Sequence, residues 1–267
     1  EALAALQAAF LEKAAAASAK RLEGLRIAER LPQAAAVATA YAAAPAGGRL
    51  TYDNFFSALG SWITPHDTLV SDAGFPLVGA QSVKIAVRNG FVAQAAWLAI
   101  GYSVGAATGV KFAQPDQRVL VVVGDGAFHE TCQAVADHVA YGQNTVVFVL
   151  VNGLYGIEQE IVNPNPFRTP PVDYPDPQLD HVYPYNRLHS WHYDKIPDVF
   201  GGIGRKAGTV AELNAILAEI RTKPDASFVV EITLPTLDVP AGIASGLATD
   251  VGEDEFENPE WPPVDLF

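Results

Sequence analysis

The chain has 267 residues, 49% of them hydrophobic, so it can bury one large core or a core with an appendage. Its formal net charge of −13 argues against binding to nucleic acid or to an anionic membrane surface, because both need a basic footprint. No apolar run is long enough to span a membrane, and the single cysteine, Cys132, excludes an internal disulfide framework. A reducing compartment, and therefore a cytoplasmic location, is expected.

The first part of the chain is predicted to lie outside the main domain. Residues 1–31 have Leu3, Leu6 and Phe10 at helical spacing and are predicted to form a helical segment. Residues 32–49 are rich in Ala, Pro and Gly and are predicted to be a linker. The chain opens within a helical pattern and contains no methionine. We therefore expect it to be the C-terminal part of a longer polypeptide.

Residues 50–237 are predicted to form one α/β domain. In chain order, the predicted elements are a helix capped by Thr51, a strand over 68–72 leading to Gly74, a helix over 93–112, strands over 119–123 and 145–151, a short helix over 196–200, a helix opened by the capping box Thr209 to Glu212, and a strand over 227–233. This alternation predicts an open parallel sheet with helices on both faces. The Pro-rich stretch 163–189 is predicted to be a loop, too long for a simple connector. Residues 238–267, with eight acidic residues and no Lys or Arg, are predicted to be an acidic tail.

Two predicted strands end in polar residues. Residues 119–123 run into Gly124-Asp125-Gly126, and residues 145–151 run into Asn152, 27 positions after Asp125. Parallel neighbouring strands would place these two tips side by side, where open α/β folds bind ligands. Carboxylate, amide and backbone carbonyl oxygens suit Mg²⁺, which normally brings phosphate with it. The alternative is that Asp125 caps a helix starting near Ala127 and that Asn152 caps a turn.

This pattern resembles the thiamine diphosphate (ThDP) enzymes, in the diphosphate-binding domain of the pyruvate and indolepyruvate decarboxylase group. The resemblance covers roughly residues 50 to 245. Besides the two strand tips, it is carried by Trp97 to Tyr102, by Tyr155-Gly156-Ile157-Glu158 and by Phe228 to Pro240. It implies the ThDP-binding fold, with residues 1–31 as the end of a preceding middle domain.

The resemblance implies a site for ThDP and Mg²⁺. Asp125 and Asn152 would bind the metal through their side chains and Leu154 through its backbone carbonyl. Leu154 stands where the family often has Gly, and its carbonyl can serve if the loop does not require a positive φ. The positions implied to contact the cofactor are Gly74, Leu98, Ile100, Gly124, Asp125, Gly126, Ala127, Asn152, Leu154, Tyr155, Gly156 and Ile157.

Two residues are implied to be catalytic, Ile100 and Glu158. Ile100 would force the two rings of the cofactor into a V, while the Leu98 carbonyl accepts from its 4′-amino group. Glu158 would lie in a partly apolar site with a raised pKa and transfer protons. Ile157 would line the substrate pocket. The alternatives are that Ile100 is a core residue and that Glu158 is a surface glutamate.

The implied reaction is the non-oxidative decarboxylation of a 2-oxo acid to an aldehyde. This chain would supply the diphosphate and Mg²⁺ half of the site and be inactive alone. A pyrimidine-binding domain, from the same protein or another subunit, would complete the site in a dimer or tetramer. Two alternatives stay open: a carboligase resembling acetolactate synthase, against which Glu158 speaks, and a non-catalytic ThDP-fold subunit used for assembly. A generic Rossmann-type nucleotide binder ranks last, since no Gly-x-Gly-x-x-Gly follows the first strand.

Overall fold

The computed structural model describes residues 47–168 and 182–246. The predicted helical segment 1–31, the linker up to residue 46, part of the Pro-rich stretch and the tail beyond residue 246 lie outside the described residues. In the part that is described, no helix is long and apolar enough to cross a membrane.

One parallel sheet organises the described residues, as the strand and helix pattern predicts. Its six strands have the order β2-β1-β3-β4-β6-β5, and every neighbouring pair is parallel. The strands are β1 Asp67–Ser71, β2 Phe91–Ala93, β3 Arg118–Gly124, β4 Val146–Val151, β5 Ile203–Ala207 and β6 Phe228–Thr233. The fold class predicted from the sequence is confirmed.

Helices follow most of the strands and cover both faces of the sheet. They are α1 Tyr52–Trp62, α2 Phe75–Ala80, α3 Tyr102–Ala113, α4 Asp125–Thr131, α5 Val135–Ala140, α6 Gly156–Val162, α7 Asn165–Arg168, α8 Ile196–Phe200, α9 Val210–Thr222 and α10 Ala241–Gly246. Single turns of 3₁₀ helix lie at Cys132–Ala134, Pro184–Asn186 and Tyr193–Lys195.

The core consists of two apolar layers, one on each face of the sheet. In β3, Leu120 and Val122 belong to the layer that includes residues of α1 and α9. Val121 and Val123, which point the other way, belong to the layer with residues of α3, α4 and α5. Because both faces are covered, the central strands are continuous apolar runs rather than alternating ones.

The predicted helix caps are confirmed. The Thr51 hydroxyl accepts from the Asn54 amide (3.1 Å) at the start of α1. Thr209 and Glu212 form a reciprocal capping box at the start of α9. The short helix over 196–200 is also present as α8.

The helix predicted over 93–112 is wrong in its first half. Ala93 ends the short strand β2, and α3 begins only at Tyr102. Between them Leu98 has φ of 54° and Gly101 has φ of 81°, values that no α-helix contains. The small residues of this stretch gave a helical pattern, but hydrogen bonds from its amides to a distant carboxylate fix the chain in another conformation.

Two strands have no counterpart in the sequence prediction. β2 has three residues and pairs only with β1, and β5 is an edge strand with the polar sequence Ile-Gly-Arg-Lys-Ala. Neither carries the apolar run that marks a central strand.

The beginning and end of the described chain pack on the sheet. Gly48 and Leu50 hydrogen-bond to Val210 and Gly208, and Arg49 bridges to Thr209. The carboxylate of Asp238, the first residue of the predicted tail, accepts from the Tyr52 amide (2.6 Å). Residue 238 is therefore part of the packed domain.

Candidate functional site

The carboxyl ends of three adjacent strands form one edge of the sheet. β1, β3 and β4 are neighbours in the order β1-β3-β4 and run in the same direction. Asp72 follows β1, Asp125 follows β3 and Asn152 follows β4. The sequence prediction that Asp125 and Asn152 lie at the ends of neighbouring strands agrees with this arrangement.

Asp125 is a buried carboxylate, 1% exposed, that joins the first turn of α4 to the loop after β4. Its Oδ1 accepts from the Gly126 amide (3.0 Å) and its Oδ2 from the Gly153 amide (2.8 Å). Burial raises the pKa of Asp125 to about 7, although the backbone hydrogen bonds lower it. Among the described residues no Lys or Arg forms an ion pair with it. A bound divalent cation would supply the positive counter-charge that no Lys or Arg among the described residues provides for this buried carboxylate.

Asn152 is 4% exposed and has one side-chain atom without a partner. Its Oδ1 accepts from the Leu154 amide (3.1 Å), while its buried Nδ2 has no hydrogen-bond partner within the described chain. An unsatisfied buried polar group costs about 1–3 kcal/mol. The Oδ1 keeps a free lone pair for a metal, and an anionic oxygen would satisfy the Nδ2.

The backbone amide of Leu154 is turned toward the Asn152 side chain. Leu154 forms an isolated antiparallel bridge with Arg187. The hydrogen bonds of this bridge come from its neighbours: Leu188 donates to the Gly153 carbonyl and Tyr155 donates to the Asn186 carbonyl, both at 2.9 Å. Since successive peptide groups in extended chain alternate in direction, the N–H and C=O of Leu154 face the opposite side, where its amide meets Asn152.

Glycine is required at this edge chiefly because side chains pack closely there. A Cβ on Gly126 would clash with the ring of Tyr155 and lie 3.1 Å from Leu188. At Gly124 the nearest heavy atom to a Cβ would be Pro76 at 3.9 Å, so that position has room. In residues 153–155, which we call the metal loop because they hold a candidate metal ligand, the positive φ is taken by Gly153 (76°). Leu154 is therefore compatible with the loop.

The helix after Asp125 begins earlier than predicted. The sequence suggested a start near Ala127, whereas α4 begins at Asp125 itself, with Gly124 as its N-cap. Ala127 and Phe128 are buried in its first turns. The alternative in which Asp125 caps this helix from outside is therefore wrong, and its carboxylate instead accepts from the Gly126 and Gly153 amides.

The loop with Leu98 and Ile100 is exposed and is fastened at its C-terminal end. Leu98 is 54% and Ile100 41% exposed, so Ile100 is not a core residue. The Thr131 hydroxyl donates to the Gly101 carbonyl (2.7 Å), and a Cβ on Gly101 would lie 3.0 Å from Glu130. The loop thus packs on α4, the helix that begins with Asp125.

Asp72, which the sequence did not single out, holds the same loop. It is completely buried, and its Oδ1 accepts from the amides of Ala73 (3.0 Å) and Gly101 (3.1 Å). Its Oδ2 accepts from the amide (2.9 Å) and hydroxyl (2.6 Å) of Ser103. A carboxylate at the N-terminus of α3 is also favoured by the helix dipole. Its place at the tip of a predicted strand was the only signal that could have revealed it.

Ile157 and Glu158 occupy the first turn of α6. Ile157 contacts Gly74, whose Cβ would lie 3.3 Å from Ile157 Cγ2, and Gly156 packs against Phe75. These contacts bring the end of β1 and the start of α6 together. Glu158 is exposed. The described residues do not by themselves provide the partly apolar surroundings predicted for Glu158, because none of their elements covers it.

The candidate cation site contains one acidic side chain, Asp125. Within residues 47–168 and 182–246 no group of three or more His, Cys, Asp or Glu side chains is placed to hold a metal. The candidate ligands are instead one carboxylate, one amide and one backbone carbonyl. This set of hard oxygen donors fits Mg²⁺ bound together with phosphate oxygens.

Comparison with known proteins places the chain in a family. Residues 72–232 match the family model described as "Thiamine pyrophosphate enzyme, C-terminal TPP binding domain". The chain belongs to the thiamine pyrophosphate enzymes. Thiamine pyrophosphate is the same compound as thiamine diphosphate, so the resemblance seen in the sequence is confirmed at the level of this domain.

The relatives of this thiamine pyrophosphate enzyme domain are longer proteins. Proteins named alpha-keto-acid decarboxylase from Mycobacterium bovis (strain BCG / Pasteur 1173P2) and Mycobacterium tuberculosis (strain ATCC 25618 / H37Rv) are each 27% identical over 199 residues, which is 73% of this chain and 32% of each relative. The one from Mycolicibacterium paratuberculosis is 26% identical with the same coverage. The chain thus spans about a third of the length of these relatives.

A solved structure shares the fold of this domain. Benzoylformate decarboxylase from Polynucleobacter necessarius matches with a TM-score of 0.56 and 19% identity, over 68% of this chain and 32% of that one. At this identity the likeness supports the ThDP-binding fold alone.

Proposed function

We propose that this chain supplies the diphosphate- and Mg²⁺-binding half of the active site of a ThDP-dependent 2-oxo acid decarboxylase. The observation that carries the proposal is the meeting of Asp125, Asn152 and the Leu154 backbone at the carboxyl ends of β3 and β4. The membership in the thiamine pyrophosphate enzymes and the decarboxylase names of the relatives support it.

The residues present fit the cofactor. Asp125 and Asn152 Oδ1 would hold Mg²⁺ together with the Leu154 carbonyl, and the unpartnered Nδ2 of Asn152 would donate to a phosphate oxygen. Gly124, where even a Cβ would meet nothing closer than Pro76 at 3.9 Å, would admit the diphosphate to the backbone. When bound, ThDP would supply the electron sink for cleavage of the carbon–carbon bond.

The exposed loop would orient the reactive part of the cofactor. The Leu98 carbonyl would hold the cofactor as a hydrogen-bond acceptor, and the Ile100 side chain would support it by steric contact. Leu98 keeps a φ of 54°, a conformation that costs a non-glycine residue about 1–3 kcal/mol. Such stored strain is typical of positions where a backbone group has a function.

Glu158 would transfer a proton to the product carbon. Its exposure in this chain is consistent with a site that is closed by a pyrimidine-binding domain, from the same protein or another subunit in a dimer or tetramer. The cover would exclude water from the surroundings of Glu158, so that its proton is passed to the substrate and not to solvent. Ile157, packed between Gly74 and the core, would limit the size of the 2-oxo acid.

Binding of the cofactor is the first test, by isothermal titration calorimetry of ThDP into the intact protein with Mg²⁺. Asp125→Asn keeps the shape of the side chain but removes its charge, and should weaken binding about 100-fold, which corresponds to about 2.7 kcal/mol. Asp116→Asn, at an exposed position before β3, is the matched control and should bind as the unmodified protein does. Equal binding by Asp125→Asn would refute the metal-site assignment.

The product identifies the reaction. Incubation with a panel of 2-oxo acids should release CO₂ and the corresponding aldehyde. An acyloin instead of the aldehyde would favour the carboligase, and tight ThDP binding without turnover in the complete assembly would favour the non-catalytic subunit.

A further inference from the structure

The outer side of the metal loop is formed by residues 182–188, which we call the clamp segment. It belongs to the Pro-rich stretch 163–189 for which the sequence indicated no role. The Gly153 carbonyl and the Tyr155 amide, on either side of Leu154, are both paired with it. Its position therefore sets the direction in which the peptide groups of Leu154 point.

The backbone contact between the clamp segment and the metal loop is short. Leu154 and Arg187 form an isolated bridge rather than part of a sheet, with only the two hydrogen bonds at 2.9 Å. Leu154 and Val182 also pack with Leu237 in a small apolar cluster. An isolated pair of strands is marginally stable in water, so the clamp segment needs further anchoring.

Gln159 and Asn186 provide that anchoring. Gln159 is fully buried in α6, and its Oε1 accepts from the Tyr183 amide (3.0 Å) and from Asn186 Nδ2 (3.1 Å). Its Nε2 donates to the Asn163 carbonyl (2.8 Å), which fixes the amide orientation. Asn186 is 3% exposed, and its own carbonyl is the acceptor for Tyr155. Two hydrogen bonds to the Gln159 side chain thus tie the clamp segment to the helix that carries Ile157 and Glu158.

We propose that Gln159 and Asn186 are positioning residues, which hold the clamp segment against residues 153–155 so that the Leu154 carbonyl faces the bound cation. The inference rests on the proposed function, since it assigns these residues to the Mg²⁺ site. It also couples that site to α6, because a shift of Gln159 moves both the metal loop and the turn with Glu158.

The test uses Gln159→Ala, Asn186→Ala and the double variant in the intact protein. Asn144→Ala is the matched control, because Asn144 Nδ2 also joins two segments, through the Pro224 carbonyl (2.7 Å), but before β4 at the opposite edge of the sheet. If Gln159→Ala does not fold, Gln159→Met replaces it, since it keeps the length of the side chain without the amide. Urea unfolding establishes the folded fraction of each variant.

Two measurements are made on each variant. In the cofactor-free protein, hydrogen exchange at the amides of Tyr155 and Leu188 should be faster in the Gln159 and Asn186 variants only. Calorimetric titration of Mg²⁺ at saturating ThDP should give a dissociation constant at least 10-fold larger in both single variants, and little further loss of affinity in the double variant. The control should retain the unmodified affinity.

Each contrary result has a separate meaning. Faster exchange with Mg²⁺ affinity unchanged within about 2-fold, or the same loss in Asn144→Ala, would refute the positioning role and leave the proposed function intact. Unchanged exchange would show that the two side chains do not hold the loop. Failure of the unmodified protein to bind Mg²⁺ and ThDP would refute the proposed function and this role together.

Discussion

Replacement of Asp72 by Asn should destabilise the protein far more than a typical surface change. The Asp72 carboxylate accepts four hydrogen bonds while fully buried. An asparagine of the same shape keeps one oxygen, so two donors lose their acceptor and face an NH₂ group instead. Hydrogen bonds to charged groups contribute about 1.5–3 kcal/mol each, so Asp72→Asn should lower the free energy of unfolding by about 3–6 kcal/mol.

Urea unfolding of the intact protein measures this loss, and hydrogen exchange locates it. Exchange should accelerate at the amides of Gly101 and Ser103, whose acceptor is Asp72. The control is Asp53→Asn, since Asp53 accepts the Ala241 amide (3.0 Å) at a helix end away from the site. A loss below about 1 kcal/mol, or one no larger than that of Asp53→Asn, would refute the view that Asp72 holds the loop with Leu98.

Three further predictions concern pH, packing and catalysis. Burial, together with the nearby Asp53 charge, raises the pKa of Asp238 from 3.8 to about 7, although the Tyr52 amide lowers it. Between about pH 4 and 7 the folded state therefore keeps a proton on Asp238 that the unfolded state releases. The contribution of this group to the free energy of unfolding is fully present below about pH 4 and is lost as the pH rises through 7. Urea unfolding at several pH values should show that, between pH 4 and 7.5, the free energy of unfolding of Asp238→Asn rises by up to about 4 kcal/mol relative to that of the unmodified protein. A difference between the two proteins that does not change with pH would contradict the raised pKa of Asp238. Gly126→Ala should cost about 1–3 kcal/mol of unfolding free energy, because the new methyl clashes with the Tyr155 ring; a neutral result would mean that the ring moves freely. Glu158→Gln should leave ThDP binding in calorimetry unchanged, because the side chain is exposed and is not one of the proposed metal ligands. It should lower the rate of aldehyde release at least about 100-fold, and an unchanged rate would remove Glu158 from the mechanism.

Much of the fold could be predicted because the central strands are strong local signals. The apolar runs at β3 and β4 are buried on both faces and end in the polar residues Asp125 and Asn152. An apolar run of this length is typical of a central parallel strand, and parallel order then brings successive tips to one edge. The pair of candidate metal ligands was therefore accessible from spacing and from the family resemblance.

The conformation of the chain between the strands was not accessible in this way. The stretch after Ala93 has a helical composition, yet it is a loop because Asp72, some 30 residues earlier, accepts the Gly101 and Ser103 amides. Burial of Ile100 and Glu158 could not be predicted either, since exposure depends on which elements cover a position in space. Both side chains are exposed in this chain.

The sequence by itself determined the order of elements, the strand tips and the residue types available for a cation. The tertiary structure alone decided that the Leu154 amide meets Asn152 and that a distant asparagine, Asn186, contacts the same loop through the Tyr155 amide. The physical reason is that periodicity and propensity act over a few residues. Hydrogen bonds such as that between Gln159 and Asn186 instead depend on contacts between residues far apart in the chain.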